Sequence, residues 1–173
     1  MKNGTIVLVT FAMALAGCGA STSSTENGPA TSRQEKNEAE FEKFASLIES
    51  GSYQYTVRTA TPTGGKTMQI TSVYTLEAKD GVYEAHLPFF GRAYSASYGG
   101  GNGGIDFKGE PENLKLSRNE KRSAILVSFD IMGDNDQYNI SLEIGSSGYG
   151  SLRINSRKRA SISYYGQVTE LKP

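Results

Sequence analysis

The chain has 173 residues, 37% hydrophobic and 21% charged, which suits one globular domain and excludes both a disordered chain and two full-sized domains. Lys and Arg number 18 against 18 Asp and Glu; without Lys2 the balance is 17 against 18, so nothing in the charge draws a nucleic acid. Twenty glycines and ten tyrosines, with no tryptophan, favour pleated strands joined by tight turns.

At the N-terminus, Lys2 supplies a short basic region and Ile6 to Ala16 an apolar one, followed by Leu15-Ala16-Gly17-Cys18. The apolar run is too short to span a bilayer as a mature helix and has the flanks of an export signal. The motif resembles the bacterial lipobox. Residues 1–17 are therefore expected to be a signal peptide that is removed, and Cys18 an acylated terminus whose chains would contribute about 0.8 kcal/mol per buried CH₂. With that thiol acylated, no disulfide can form within the chain. Residues 18–33 are Ser/Thr-rich around Gly28-Pro29 and read as a flexible tether. The expected location is the envelope of a Gram-negative bacterium, lipid-anchored to the outer membrane and facing the periplasm. Membrane partnership would run through the acyl chains on Cys18.

Residues 34–173 read as a single β-rich domain. Gln34 to Ser50 is predicted helical: Phe41, Phe44, Ala45, Leu47 and Ile48 recur at helical spacing, with Gly51 at the C-terminal cap. From Ser52 the period changes to two. Tyr53, Tyr55 and Val57 share a face as far as Pro62, and Met68 to Leu76 forms the next run. An Asp80-Gly81 turn then leads into Val82–Leu87. Further strands are predicted at Gly91–Ser97, Ile105–Gly109, Leu114–Arg118, Ser123–Ile131, Tyr138–Ile144, Tyr149–Asn155 and Ser161–Val168. Turns this short make neighbouring strands antiparallel. The fold class is mainly β: a curved antiparallel sheet, sandwich or partly open barrel of about nine strands, with one N-terminal helix.

Little in the sequence carries chemistry. His86 is the single histidine and lies on the parity of Val82 and Glu84. No G-x-S-x-G elbow accompanies it, so an enzyme is not expected. A zinc site needs three or four nitrogen or sulfur ligands, which one His and one acylated Cys cannot supply, so no metal or cofactor is expected. Gly99 to Gly104 satisfies G-x-G-x-x-G formally, but a strand pattern follows where the dinucleotide fingerprint needs a helix. Asp130, Asp134, Asn135 and Asp136 explain themselves as turn residues, without the loop glycine and distal Glu of a calcium loop. Arg157-Lys158-Arg159 reads as a solvated basic tip.

Leu87-Pro88-Phe89-Phe90-Gly91-Arg92-Ala93-Tyr94 is different, because large aromatics gather around a Pro that ends the strand. They either enter the core at a sheet corner or surround a pocket mouth. On the second reading Phe89, Phe90, Arg92 and Tyr94 are the candidate ligand-binding residues, with Arg92 facing an anionic group.

These residues, with Gly104-Ile105-Asp106-Phe107, the closing Ile162-Ser163-Tyr164-Tyr165-Gly166 and the upstream run from Tyr53 to Gly65, resemble the bacterial lipoproteins of domain-of-unknown-function family 4251. The resemblance covers about residues 35–170. It implies a secreted, lipid-anchored β-rich domain and no agreed activity. Tyr165 departs from the pattern, where a smaller residue is expected between tyrosine and glycine.

Three readings of function remain open. The first is a non-catalytic module that binds a small hydrophobic or amphipathic ligand in a concave sheet. The second is a structural or interaction protein that docks on another envelope protein through an exposed apolar patch or free edge strand. The third, an enzyme, needs His86 in a cleft with hydroxyl and carboxylate neighbours.

Overall fold

The computed structural model describes residues 29–94, 103–133 and 136–171. The expected signal peptide, Cys18 and the first part of the tether lie outside them. Helix α1 (Pro29–Glu49) opens the described chain. It begins earlier than periodicity predicted, so residues 29–33 are helical where a tether was expected. Proline is accommodated in a first helical turn because no intrahelical N–H is required there. Residues 32–39 are exposed, and the apolar stripe starts only at Phe41, where Phe41, Ala45 and Ile48 are buried at helical spacing. The missing stripe is why sequence periodicity placed the start too late.

Among the described residues ten strands come after the helix: β1 (Tyr53–Pro62), β2 (Met68–Gln69), β3 (Thr75–Lys79), β4 (Val82–Leu87), β5 (Ile105–Gly109), β6 (Glu112–Asn119), β7 (Ala124–Met132), β8 (Gln137–Gly145), β9 (Tyr149–Ser156) and β10 (Ile162–Glu170). They form one antiparallel sheet in the order β5-β4-β3-β1-β10-β9-β8-β7-β6, with β2 beside β1. Two meanders, β3–β5 and β6–β10, are joined through β1, which pairs with β3 on one side and β10 on the other. The expected fold class is present, as a curved antiparallel sheet in the form of a half-barrel with one N-terminal helix.

The sheet curls until its arms meet across the concave face. Tyr83 of β4 packs on Phe129 of β7 with ring centroids 4.4 Å apart, and Phe107 of β5 on Tyr138 of β8 at 5.9 Å. The concave side is thus filled by side chains from both arms, and α1 lays Phe41, Ala45 and Ile48 onto the same core. Burying each large apolar side chain contributes about 1.5–3 kcal/mol. At the Asp80-Gly81 turn both residues have positive φ, 51° and 81°, the geometry a two-residue hairpin needs to match strand twist.

Two predicted strands differ. The run Met68 to Leu76 is broken into β2 and β3, because β1 shifts register between Val57 and Thr59. Residues 70–74 pass around that irregularity, with Ile70 N–H donating to the Arg58 carbonyl (2.9 Å) and Val57 N–H to the Tyr74 carbonyl (3.0 Å). The strand expected at Gly91–Ser97 is reduced, among the described residues, to a single bridge between Ala93 and Arg159. Pro88 ends the β4 ladder, and the chain beyond it attaches to a hairpin end instead.

Candidate functional site

The segment singled out in the sequence is stitched to the turn between β9 and β10. Ala160 N–H donates to the Arg92 carbonyl (2.9 Å) and Tyr94 N–H to the Lys158 carbonyl (2.8 Å). The buried Tyr164 hydroxyl donates to the Pro88 carbonyl at 2.8 Å, which fixes the corner from below. Phe89 is half-buried against the core with the Arg159 guanidinium over its ring, 5.3 Å from the centroid. Arg159 also donates to the carbonyls of Gly103 (3.2 Å) and Gly104. Phe90, Arg92 and Tyr94 face solvent. The four candidates therefore lie along one strip in which Phe89 belongs to the core margin and the other three to the surface.

His86 projects from the convex face. Its Nδ1 bonds Asp106 on β5, and the Tyr74 ring stacks on the imidazole at 5.5 Å. The ring is 63% exposed. Thr75 stands opposite His86 in the β3–β4 register, but its hydroxyl donates to Glu77. A base–carboxylate pair is present on open sheet, with the neighbouring hydroxyl turned elsewhere. The sequence reading missed Asp106 as the partner; the signal was its outward parity in Ile105–Gly109, which acquires meaning only once β4 and β5 are in register.

Of the turn residues, Asp134 and Asn135 lie outside the described residues. Asp136 is buried, accepting from Gln137 N–H at 2.9 Å and from the Ser156 hydroxyl. Asp130 joins a different set. It accepts from Asn113 (3.0 Å) and Asn139 (2.9 Å), Asn139 accepts from Asn155 (3.4 Å), and Asn155 accepts from Ser161 (2.7 Å). The hydrogen bonds from Asn139 and Asn113 hold the Asp130 carboxyl below its ordinary pKa. Among the described residues no group of three or more His, Cys, Asp or Glu converges as a metal site would require.

At the far edge, a row of cross-strand partners on the concave face runs Ala60, Tyr164, Leu152, Leu142, Val127, Leu116, from β1 to β6. Every member as far as Val127 is buried, whereas Leu116 is 41% exposed. All eight residues of β6 are exposed, and β6 ends the sheet order. The parallel row through Ile144 and Ile125 ends differently, at Arg118, which is held by Glu49 and Glu42 of α1. A depression of about 490 Å³ lies between α1 and β10, with Phe44, Leu47 and Val168 among its walls.

A model of the domain-of-unknown-function family DUF4251 matches residues 35–168. A crystal structure of a DUF4251 family protein from Bacteroides eggerthii is similar over 79% of this chain and 91% of that one, with a TM-score of 0.60 and 18% identity. At that identity the likeness speaks for the fold. No curated protein matches.

The reading of Cys18 as an acylated anchor, and with it the lipid, palmitate and membrane partner, is corrected. That reading stood on the chain's single cysteine, which lies outside the described residues and ahead of the family match. Among the described residues no helix is long and apolar enough to cross a membrane. No lipid anchor is assigned to the chain.

Proposed function

The chain belongs to the DUF4251 family, and from that premise we propose that it is a non-catalytic interaction domain of the bacterial envelope that docks an extended segment of another protein along β6. The observation that carries this reading is the core row that runs out into solvent: five buried partners end in Leu116, which has no strand beyond it in the sheet order. An added strand would pair its backbone with β6 and continue that apolar row, as in β-strand addition. The β6–β7 register is regular from Lys115 to Asn119 and shifts between Glu112 and Lys115, so the pairing frame is Lys115–Asn119. The interior supports this reading over a ligand carrier, because the concave face is occupied by Tyr83, Phe107, Phe129 and Tyr138 from opposite arms.

The test is a photo-crosslinking residue at Ser117, with Thr169 as control, in the native host. A discrete protein adduct from Ser117 that disappears with Leu116→Lys is expected. Equal labelling from both positions, or an adduct indifferent to Leu116→Lys, overturns the reading.

A further inference from the structure

The convex face has two halves of opposite chemistry. On β3–β5 the outward positions are charged or ionisable at Glu77, Lys79, Glu84, His86, Asp106 and Lys108, with Thr75 and Val82 as the exceptions. That is an ordinary solvated sheet face, with ion pairs such as Lys108–Glu84 at 2.6 Å. On β9 and β10 the same parity carries hydroxyls, amides and tyrosines, with Arg153 as the charged exception. Solubility does not require this exchange.

Two organised features lie there, one on β9 and β10 and one that reaches from them across β8, β7 and β6 and takes in the charged Asp130. At one end Tyr149 and Tyr165, both exposed, stack on each other with centroids 6.0 Å apart and planes 14° from parallel. At the other end the row Asn113–Asp130–Asn139–Asn155–Ser161 crosses the sheet, each side chain oriented by the next. Along β9, Tyr149 and Asn155 are six residues apart on one face, roughly 20 Å at about 3.3 Å per residue. The amide row borders an open depression of about 280 Å³ lined by Asp130, Gln137, Asn139, Asn155, Ser156 and Arg157.

We propose that this face binds a neutral oligosaccharide, with a terminal sugar in the depression and the chain running along β9 onto the tyrosine pair. A carboxamide has two N–H donors and a carbonyl with two lone pairs. Asn139 and Asn155 each use one N–H within the row, which leaves a fixed second donor and further acceptor capacity for vicinal hydroxyls. Because the row sets their orientation beforehand, little side-chain entropy is lost on binding. The tyrosines supply flat apolar faces for the C–H face of a sugar ring and hydroxyls at the rim. A polyanion would meet Asp130 in the depression, and a polycation Arg157, so the balanced lining suits an uncharged polyol.

The experiment titrates the purified chain with four tetrasaccharides, built of β-1,4-glucose, α-1,4-glucose, β-1,4-N-acetylglucosamine or β-1,4-mannose, by calorimetry and by backbone amide NMR. At least one is expected to bind saturably with Kd below about 1 mM. That affinity should fall about tenfold or more in Asn155→Leu and in Tyr165→Ala, each checked for an unchanged fold by circular dichroism, while Leu116→Lys leaves it unchanged. If Asn155→Leu disturbs the fold, Tyr165→Ala, on the opposite end and outside the row, decides alone. Absence of saturable binding for all four sugars, or an affinity indifferent to Tyr165→Ala, overturns the proposal.

Discussion

Arg118 on the edge strand grips Glu49 on the helix with two parallel hydrogen bonds, Nε and Nη2 each 2.6 Å from a carboxylate oxygen. The same guanidinium reaches Glu42 at 3.1 Å, so one side chain binds two turns of α1 to the outermost strand. Those hydrogen bonds hold the Glu49 carboxyl below its ordinary value of 4.5 and push Arg118 up. A depressed carboxylate contributes stability that is present above the unfolded value and lost as pH falls through the folded one. The melting temperature should therefore drop more steeply in the wild type than in Glu49→Gln below about pH 4.5. At about 1 M salt the gap between them at neutral pH should narrow. Parallel pH profiles would show that the pair contributes nothing to folding.

Three inward tyrosines should respond differently to loss of their hydroxyls. Tyr55 donates to the carbonyls of Gly150 (3.0 Å) or Tyr164 (3.2 Å), and Tyr164 donates to Pro88. The Tyr53 hydroxyl is buried with no hydrogen-bond partner among the described residues. Tyr55→Phe and Tyr164→Phe should each cost about 1–2 kcal/mol in urea unfolding, and Tyr53→Phe should be neutral or stabilising. Equal losses at all three would mean that shape, not bonding, decides there.

At Gly150, β9 lies close against the backbone of β8. A Cβ built on it would lie 1.9 Å from the Glu143 carbonyl oxygen and 2.7 Å from Ile144. Backbone cannot yield as a side-chain tip can, so Gly150→Ala should cost about 3 kcal/mol or more, or abolish folding. Gly109→Ala, with open space around its Cβ, is the control and should change stability by less than about 1 kcal/mol. Comparable losses at both positions would refute the close approach.

The row that ends at Leu116 makes a graded prediction. Leu142 is fully buried within it, so Leu142→Ala should cost about 2–5 kcal/mol. Leu116→Ala, at the same level of the sheet, should cost less than about 1 kcal/mol in the isolated chain. A large loss at Leu116 would show that the edge is already covered in the free protein.

Much of this architecture was legible residue by residue. Alternation located β1, β4, β5 and β7–β10 to within two residues, because half-buried strands must alternate whatever their partners. The face of His86 was legible for the same reason. The break between β2 and β3 was not, since it answers to a register shift in β1, a different part of the chain. Nor was the fate of Phe89, Phe90, Arg92 and Tyr94: local sequence shows that aromatics cluster after Pro88, while their burial depends on a distant hairpin, between β9 and β10, that takes hold of them. The amide row was hidden more deeply still. Asn113, Asp130, Asn139 and Asn155 each look like turn or surface residues, and only strand order brings them into one line.

The position of β1 between the two meanders has a consequence for how the chain is made. Tyr53 pairs with Glu170, so the first described strand receives its second neighbour from the last described one. The hairpins of β6–β10 close over short loops and can form early, whereas the β1–β10 seam waits for every strand between them and carries a large loop-closure entropy. Until that moment β1 offers an open edge and the curl cannot close. Folding should thus be slow for a domain of this size, with completion set by the arrival of β10, and the chain is at its most aggregation-prone while β1 still lacks that neighbour.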